Sequence, residues 1–107
     1  MAQYLVQFNQ TSETWGKLIK NPEDRRKAFG AQVEKLGGKL LGYWYTFGKH
    51  DGVLVVEMPD NVAMLSLLAP IAASGGVHSE TTPLITVEEM QTALKRAADV
   101  SYRAPGA

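Results

Sequence analysis

The sequence predicts an α+β fold in which helices cover one face of a four-stranded antiparallel sheet and a further helix follows at the C-terminus. Segments with strand and helix character follow one another in the order β-α-β-β-α-β, which is the split βαβ, or ferredoxin-like, pattern. A tight turn at Gly48 and Lys49 joins the middle two strands, so these strands should form a hairpin. The expected strand order across the sheet is 4-1-3-2.

The first strand and the two helices after it come from the first third of the chain. The run "QYLVQF" is β-prone and predicts a strand over about 3–9. A short helical segment is expected in "TSETWGKLIK", where apolar residues fit one turn of helix. Asn21 as the cap and Pro22 at the first helical position then predict a longer helix, which a Gly-Gly pair ends.

The middle of the chain supplies the hairpin and the most apolar helix. The runs "KLLGYWYTFG" and "HDGVLVVEM" predict two strands, and Tyr43 should lie on the face opposite to Leu40 and Trp44. Asp60 can cap the next helix, "NVAMLSLLAPIAAS", which is apolar on most sides and should be deeply packed. Pro70 falls inside this helix and is expected to kink it.

The last third supplies one polar strand and one amphipathic helix. The run "VHSETTPLI" predicts the fourth strand. The run "TVEEMQTALKRAA" opens with a capping box formed by Thr86 and Glu89, and its apolar residues form one stripe. We expect a single domain over residues 1–98 and a flexible C-terminal tail over residues 99–107.

Composition limits the class of protein. The chain has 107 residues, enough for one domain with its own core. Its 11 basic and 11 acidic residues balance, so a nucleic-acid partner has no electrostatic support. It has no cysteine, which suits a reducing cytosol. The longest apolar stretch, about twelve residues, is too short to cross a bilayer, so we expect a cytoplasmic protein without membrane or nucleic-acid partners.

The middle strands are apolar on both faces. In the second strand of the hairpin, Val53 and Val55 point one way, while Leu54 and Val56 point the other. Helices can cover only one face of such a sheet, and an exposed apolar face usually marks an interface. We therefore expect a second copy of the chain to cover the other face, giving a homodimer or a higher homo-oligomer. The alternative is that the C-terminal helix folds back over it.

The segment "YWYTFGKHDGVLVVEMPD" resembles the signature region of the GYD-domain proteins, which are small bacterial and archaeal domains. In that pattern a strand ends in Thr-x-Gly, x-Tyr-Asp follows, and an apolar strand ends in Glu, a small residue, Pro and Asp. His50 stands in the tyrosine position, and His78 stands where a basic residue, often arginine, is expected. The matching residues are Thr46, Gly48, Asp51, Glu57, Pro59 and Asp60.

The resemblance extends over about residues 3–95 and implies a ferredoxin-like fold of the dimeric α/β-barrel type. It implies no established activity. Proteins of that fold type include cofactor-free monooxygenases, lactone isomerases, polyketide cyclases and ligand-binding regulators, and the fold does not choose among them.

His50 and Asp51 are the first candidates for chemistry. Histidine titrates near neutral pH, which suits proton transfer. Neighbouring residues on a strand point to opposite faces, so Asp51 is not expected to orient His50. Asp51 also has a structural alternative, which is to brace the hairpin turn.

The polar strand offers a second group of candidates. His78 and Glu80 are two residues apart and share a face with Thr82. Polar residues on an edge strand also prevent unwanted sheet pairing, and this explanation is the simpler one. A metal set of His50, His78 and Glu80 would match a two-histidine, one-carboxylate pattern, but nothing in the sequence brings the three together.

Aromatic side chains and one acid complete the candidates. Glu57 shares a face with Val53 and Val55, so it is a candidate general base if that face is buried and a solvated side chain if it lies at the rim. Core or interface packing is the alternative for the aromatic side chains. Any buried tyrosine hydroxyl needs a partner, for which we expect His50, Asp51 or Glu57. The predicted ligand-binding residues are Tyr43, Trp44, Phe47, His78 and Trp15.

These observations predict a small homo-oligomeric domain that binds a small organic molecule, for example an aromatic or polyketide-like one. Cofactor-free acid/base catalysis by His50, Asp51, Tyr45 and Glu57 is one hypothesis for its activity. The alternative is a non-catalytic module, either a ligand sensor or an assembly protein that acts through its sheet face. No cofactor and no metal are expected.

Overall fold

The computed structural model describes residues 1–107 and contains four strands and four helices. In chain order they are β1 (Ala2–Gln10), α1 (Ser12–Lys20), α2 (Arg25–Lys35), β2 (Lys39–Tyr45), β3 (Gly52–Met58), α3 (Asn61–Ser74), β4 (Val77–Leu84) and α4 (Val87–Ala97).

The strands form one four-stranded sheet in the order β2-β3-β1-β4, and every pairing is antiparallel. This order confirms the prediction, and the α+β fold is ferredoxin-like. The polar strand β4 pairs only with β1 and is therefore an edge strand. None of the helices combines the length and the apolar character needed to cross a membrane.

One face of the sheet, the inner face, packs against α2 and α3. Alternate residues of β1 and β3 are buried there because successive side chains on a strand point to opposite faces. Burial of side chains this large, at roughly 1.5–3 kcal/mol each, is the main source of stability. The ten core residues are Tyr4, Val6, Phe8, Phe29, Val33, Leu54, Val56, Met58, Met64 and Leu67.

The start of α2 differs from the prediction. The helix begins at Arg25, and Asp24 is its N-cap, with the carboxylate accepting the Arg26 backbone N–H at 3.0 Å. Asn21 instead ends α1, where its backbone N–H donates to the Lys17 carbonyl at 3.0 Å. Asp24 is favoured as the cap because its carboxylate also pairs with the Arg26 guanidinium at 2.8 Å.

A β-bulge changes the faces of β2. Leu40 pairs with Val56 and Gly42 pairs with Val55, so one extra residue, Leu41, is inserted between them. Leu40 therefore packs against the core on the same side as Tyr43. The predicted opposition of these two residues was wrong, because strict alternation does not hold across a bulge.

The other helix ends agree with the sequence. The Asp60 carboxylate accepts the Ala63 backbone N–H at 2.9 Å, and Gly75 ends α3 with a φ of 73°. The capping box of α4 is present in both directions, between Thr86 and Glu89, with each bond at 3.0 Å. The helix α3 continues through Pro70 to Ser74 without a break in its assigned length.

The helix α4 projects from the body of the molecule. Every residue from position 82 onward is exposed, and no strand or other helix packs closely against α4. The molecule is 59 Å long, and its radius of gyration of 17.8 Å exceeds the roughly 13 Å of a compact chain of this length. The C-terminal helix therefore does not fold back over the sheet, and the sheet face opposite the helices, the outer face, is uncovered.

Candidate functional site

A cavity of about 350 Å³ lies between the inner face of the sheet and the helices α1, α2 and α3. All four strands supply its floor, and apolar side chains of the three helices supply its walls. The apolar lining consists of Val6, Phe8, Leu18, Phe29, Tyr43, Leu54, Leu68, Ile71 and Val77.

Aromatic rings form one side of the cavity. The Tyr43 ring lies 5.5 Å from the Phe8 ring and 6.1 Å from the Phe29 ring, and the Phe29 contact is edge-on. Tyr45 extends the group, with its ring centroid 5.6 Å from that of Tyr43. Burial of Tyr43 raises the pKa of its hydroxyl well above the usual range, and the Tyr45 hydroxyl adds to the effect. Tyr43 therefore stays protonated at neutral pH.

Gln10 is the unusual polar residue of the lining. It follows Phe8 by two positions on β1, so its side chain belongs to the inner face. Its amide nitrogen Nε2 is buried and has no hydrogen-bond partner. Thr14, also in the lining, is satisfied because its hydroxyl donates to the Gly76 carbonyl at 2.9 Å. Gln10 thus has a buried hydrogen-bond donor without a partner.

Charged side chains at the cavity are already paired. The Arg25 guanidinium lies 3.1 Å from the Glu23 carboxylate, and both residues belong to the lining. The Lys17 ammonium lies 3.4 Å from the Glu13 carboxylate on the exposed surface of α1. The cavity therefore has little net charge to offer.

Asp51 joins the hairpin to the start of α1. It lies in the loop before β3, one residue earlier than the strand begins. Its carboxylate Oδ2 accepts the Gln10 backbone N–H at 2.8 Å and the Trp15 indole N–H at 3.4 Å. Its own backbone N–H donates to the Phe8 carbonyl at 2.9 Å. These bonds make Asp51 a brace between the hairpin loop and the junction of β1 and α1, whereas the alternative stated from the sequence was a brace of the hairpin turn itself.

His50 lies beside Asp51 in the same loop and contacts β1. Its ring nitrogen Nδ1 lies 3.0 Å from the Asn9 side-chain oxygen, and no hydrogen bond joins His50 to Asp51. The Asn9 amide also donates to the Lys49 carbonyl at 2.8 Å. His50 is not part of the cavity lining. Its catalytic role stays a prediction.

Two glycines explain part of the hairpin motif. Gly48 adopts a φ of 88°, which side-chain-bearing residues rarely adopt. Gly52 lies directly under Phe8, and a Cβ atom there would meet the Phe8 ring at 2.2 Å. The segment from Thr46 to Gly52 is therefore built to pack the hairpin loop against the end of β1.

The remaining predicted residues lie elsewhere. Trp44, Glu57 and His78 are on the outer face, and Glu57 stands across from Lys39 of β2. Phe47 is fully exposed at the hairpin loop. No three histidine, aspartate or glutamate side chains come close enough to hold a metal ion, so the set of His50, His78 and Glu80 is not assembled.

The buried tyrosine found a different partner from those expected. The Tyr4 hydroxyl donates to the Asn61 side-chain oxygen at 2.6 Å, at the start of α3. Trp15 contributes to the brace on Asp51, while Thr14 and Leu18 of the same helix line the cavity. Sequence reasoning predicted Tyr43 in the pocket and missed Gln10 and Phe29. The spacing of Gln10 from Phe8 is the signal that would have placed it on the inner face.

The comparison with protein families decides the relationship of this chain. A family model for the GYD domain matches residues 4–94. The chain belongs to the GYD domain family. The resemblance seen in the hairpin segment is thereby confirmed, and the match covers most of the chain of this GYD domain.

Two known proteins are similar to this GYD domain. One is the "Glutamine synthetase and cystathionine beta-lyase binding protein" of Thermus thermophilus, which is 28% identical over 96 residues, covering 89% of this chain and 100% of the relative. The other is the crystal structure of MtbAldR, with a TM-score of 0.57 and 21% identity over 79% of this chain. This GYD domain spans about half of MtbAldR, 53% of that chain, and the likeness supports the fold alone.

Proposed function

We propose that this GYD domain is a non-catalytic protein-binding module that docks on a metabolic enzyme through α4. The observation behind the proposal is the apolar stripe of α4, in which Val87, Met90 and Leu94 are 70%, 50% and 58% exposed. A monomeric protein rarely leaves such a stripe uncovered on a projecting helix. The Thermus thermophilus relative, similar along its whole length, is named as a binding protein of two metabolic enzymes.

The chemistry of α4 fits a helix that binds in an apolar groove. Its stripe repeats at positions 87, 90 and 94, the spacing that helix-in-groove recognition uses. Acidic side chains, Glu88 and Glu89, lie in its first turn, and basic ones, Lys95 and Arg96, lie in its last. The groove of a matching enzyme would therefore be apolar, with basic side chains near the start of α4 and acidic ones near its end.

Acid/base catalysis has less support from the positions of the predicted residues. His50 contacts Asn9, Asp51 accepts a backbone N–H, and Glu57 lies on the outer face. A general base must reach the group that it deprotonates, and these three side chains do not converge on one reactant position.

The outer face is the second contact surface of the proposed module, and its occupant is a second copy of this chain. Leu5, Val53 and Val55 are only half-buried there, and Trp44 is 55% exposed. A face-to-face pair of sheets would cover all four in both copies. Such a dimer would present two α4 helices and so bind an oligomeric enzyme with higher avidity than one copy could.

The test uses purified glutamine synthetase and cystathionine β-lyase from the organism that encodes this chain. Each is titrated against the full chain and two variants by biolayer interferometry. Leu94→Glu places a charge in the apolar stripe and should weaken binding at least about tenfold. Thr92→Glu places the same charge on the opposite side of α4 and should change binding less than about threefold.

Binding of at least one enzyme with this pattern supports the proposal. Failure of both enzymes to bind the unmodified chain, or equal binding by Leu94→Glu and Thr92→Glu, would overturn it. Circular dichroism of both variants shows whether α4 keeps its helical content, so that a loss of binding is assigned to the surface and not to the fold.

A further inference from the structure

The glycine in the middle of β2 is not explained by its backbone conformation. Gly42 follows the bulge at Leu41, but its φ is not positive, unlike that of Gly48, so a residue with a side chain could adopt the same conformation. A glycine inside a strand weakens the strand, because the unfolded chain gains entropy and no side chain is present to pack. The space above Gly42 is therefore the property that requires a glycine.

The Trp44 indole occupies that space. Gly42 and Trp44 are two residues apart on β2, and both belong to the outer face. A Cβ atom at position 42 would lie 2.2 Å from the indole Cη2 and 2.7 Å from Cζ3, so any other residue would push the ring away. The six-membered ring is thus packed on the backbone of its own strand, while the side chain stays 55% exposed.

An exposed indole that is held in one position is typical of an anchor in a protein interface. Tryptophan is enriched among the residues that contribute most to binding, and a side chain already fixed in place loses little conformational entropy on association. The ring borders the apolar centre of the outer face, because Trp44 pairs with Val53 and Gly42 pairs with Val55. The exposed side of the indole therefore continues the surface that a second copy would cover.

The charges around Trp44 favour a second copy as the partner. The charged side chains that β2 and β3 present on the outer face, Lys39 and Glu57, lie across from each other at the far end of both strands. They have opposite signs, so this part of the face has no net charge that would repel an identical surface. An uncharged apolar patch suits symmetric association, in which both chains bury the same residues.

We infer that Trp44 is the anchor of self-association through the outer face and that Gly42 is its positioning residue. The inference rests on the proposed dimer and names the side chains that determine its affinity. In the dimer the exposed side of each indole is buried on the second copy, while the other side stays on Gly42 of its own chain.

Trp44 can report on its own burial. The chain has two tryptophans, and Trp15→Phe leaves Trp44 as the single one. Emission spectra of this variant are recorded from nanomolar to high micromolar concentration, and sedimentation velocity gives the mass at the same concentrations. The emission maximum should move to shorter wavelength over the range in which the mass doubles, because the exposed side of the indole leaves water on association.

Substitutions at two positions separate the anchor from its positioning residue. Trp44→Ala should weaken self-association at least about thirtyfold, as expected for a residue that dominates an interface. Gly42→Ala keeps the indole but displaces it, and should weaken association roughly five- to tenfold. When Trp44→Ala is already present, Gly42→Ala should have no further effect, because its effect depends on the indole. The control, Tyr45→Ala, removes an aromatic side chain that is 51% exposed on the opposite face and should change association less than about threefold.

The inference is supported if mass and emission change together and if the effect of Gly42→Ala disappears without the indole. A dimer in which Trp44 emission does not depend on concentration, or in which Trp44→Ala associates as the unmodified chain does, would overturn the anchor and leave the dimer in place. Unchanged association of Gly42→Ala would overturn the positioning role. A single-chain mass at every concentration would overturn the dimer and the anchor together.

Urea denaturation of each variant separates association from folding. If Trp44 only packs on Gly42 to stabilise β2, the substitutions lower the free energy of unfolding and leave the association constant of the folded chain unchanged. That result would also overturn the inference.

Discussion

Gln10 is the residue where the structure leaves a buried polar group unsatisfied, and stability should reveal it. A buried donor without a partner costs about 1–3 kcal/mol relative to an apolar side chain of similar shape. We predict that Gln10→Leu raises the free energy of unfolding of the ligand-free chain by about 1–2 kcal/mol. Urea denaturation measures the change.

The matched control for this prediction is Gln7→Leu on the opposite face of β1, where the expected change is within about 0.5 kcal/mol. A drop in stability for Gln10→Leu would mean that its amide makes a contact that stabilises the fold.

For Asp51 we predict the opposite effect of a substitution, a loss of stability. Its carboxylate accepts a partly buried backbone N–H from Gln10 and the indole N–H of Trp15. Asp51→Ala should lower the free energy of unfolding by about 1–3 kcal/mol, because both donors lose their acceptor. Asp51→Asn keeps one acceptor oxygen and should have a smaller effect. An Asp51→Ala variant of unchanged stability, measured by urea denaturation followed by tryptophan fluorescence, would contradict the bracing role.

At the scale of secondary-structure elements, α4 depends on its capping box. It has 11 residues and no packing partner, and isolated helices shorter than about 12–15 residues are marginal in water. Thr86 donates its backbone N–H to the Glu89 carboxylate, and this bond, with the Thr86 side chain second, lowers the pKa of Glu89 below its ordinary 4.5. At any pH above the ordinary pKa of a glutamate, Glu89 is ionised and the capping box contributes its full stabilisation of the helix. That contribution is lost as the pH falls through the lowered pKa of Glu89.

We predict that α4 loses helical content as the pH falls from neutral through the lowered pKa of Glu89, and that Glu89→Ala has low helical content at every pH of the titration. Secondary ¹³Cα shifts of α4 measure the helix, and those of β1 and β3 report whether the fold persists. Glu88→Ala removes a neighbouring charge outside the capping box and should keep the pH dependence. A Glu89→Ala variant whose α4 helical content depends on pH as in the unmodified chain would contradict a role for the capping box.

The strength of local signals decided which elements could be predicted. The caps at Asp60 and Thr86 are set by residues a few positions apart, and they were found. The start of α2 was misplaced because Asn21-Pro22 and Asp24 are both adequate start signals. The choice between them rests on the pairing of Asp24 with Arg26, at 2.8 Å.

The face of Leu40 and the lining of the cavity required tertiary information. A bulge is one extra residue opposite a partner strand, and its position is invisible without the register of that strand. Gln10 is the last residue of β1, and a polar residue at the end of a strand resembles the start of a loop. Its role depends on α1 and α3, which bring Thr14 and Ile71 to the same cavity.

At the scale of the whole molecule, two apolar surfaces are left uncovered, and their separation has a consequence. The outer face is broad, with apolar side chains at its centre and the polar residues of edge strand β4 at its side. The second surface is the narrow apolar stripe of the projecting helix α4. A second copy suits the first surface, because a two-fold axis lets the same patch cover itself. A groove suits the second.

The arrangement predicts that assembly and enzyme binding respond to different substitutions. Val55→Lys places a charge at the centre of the outer face and should convert a dimer to the mass of a single chain, weakening self-association at least about tenfold. Val62→Lys makes the same change on α3, where Val62 is 73% exposed, and should keep the dimer. Native mass spectrometry and sedimentation velocity at micromolar concentration measure both. A single-chain mass for the unmodified protein would rule out the dimer, whereas an unchanged dimer in Val55→Lys would mean that the interface lies elsewhere.

Because α4 lies apart from the outer face, Val55→Lys should still bind the enzyme through one helix, but without the avidity that two helices give.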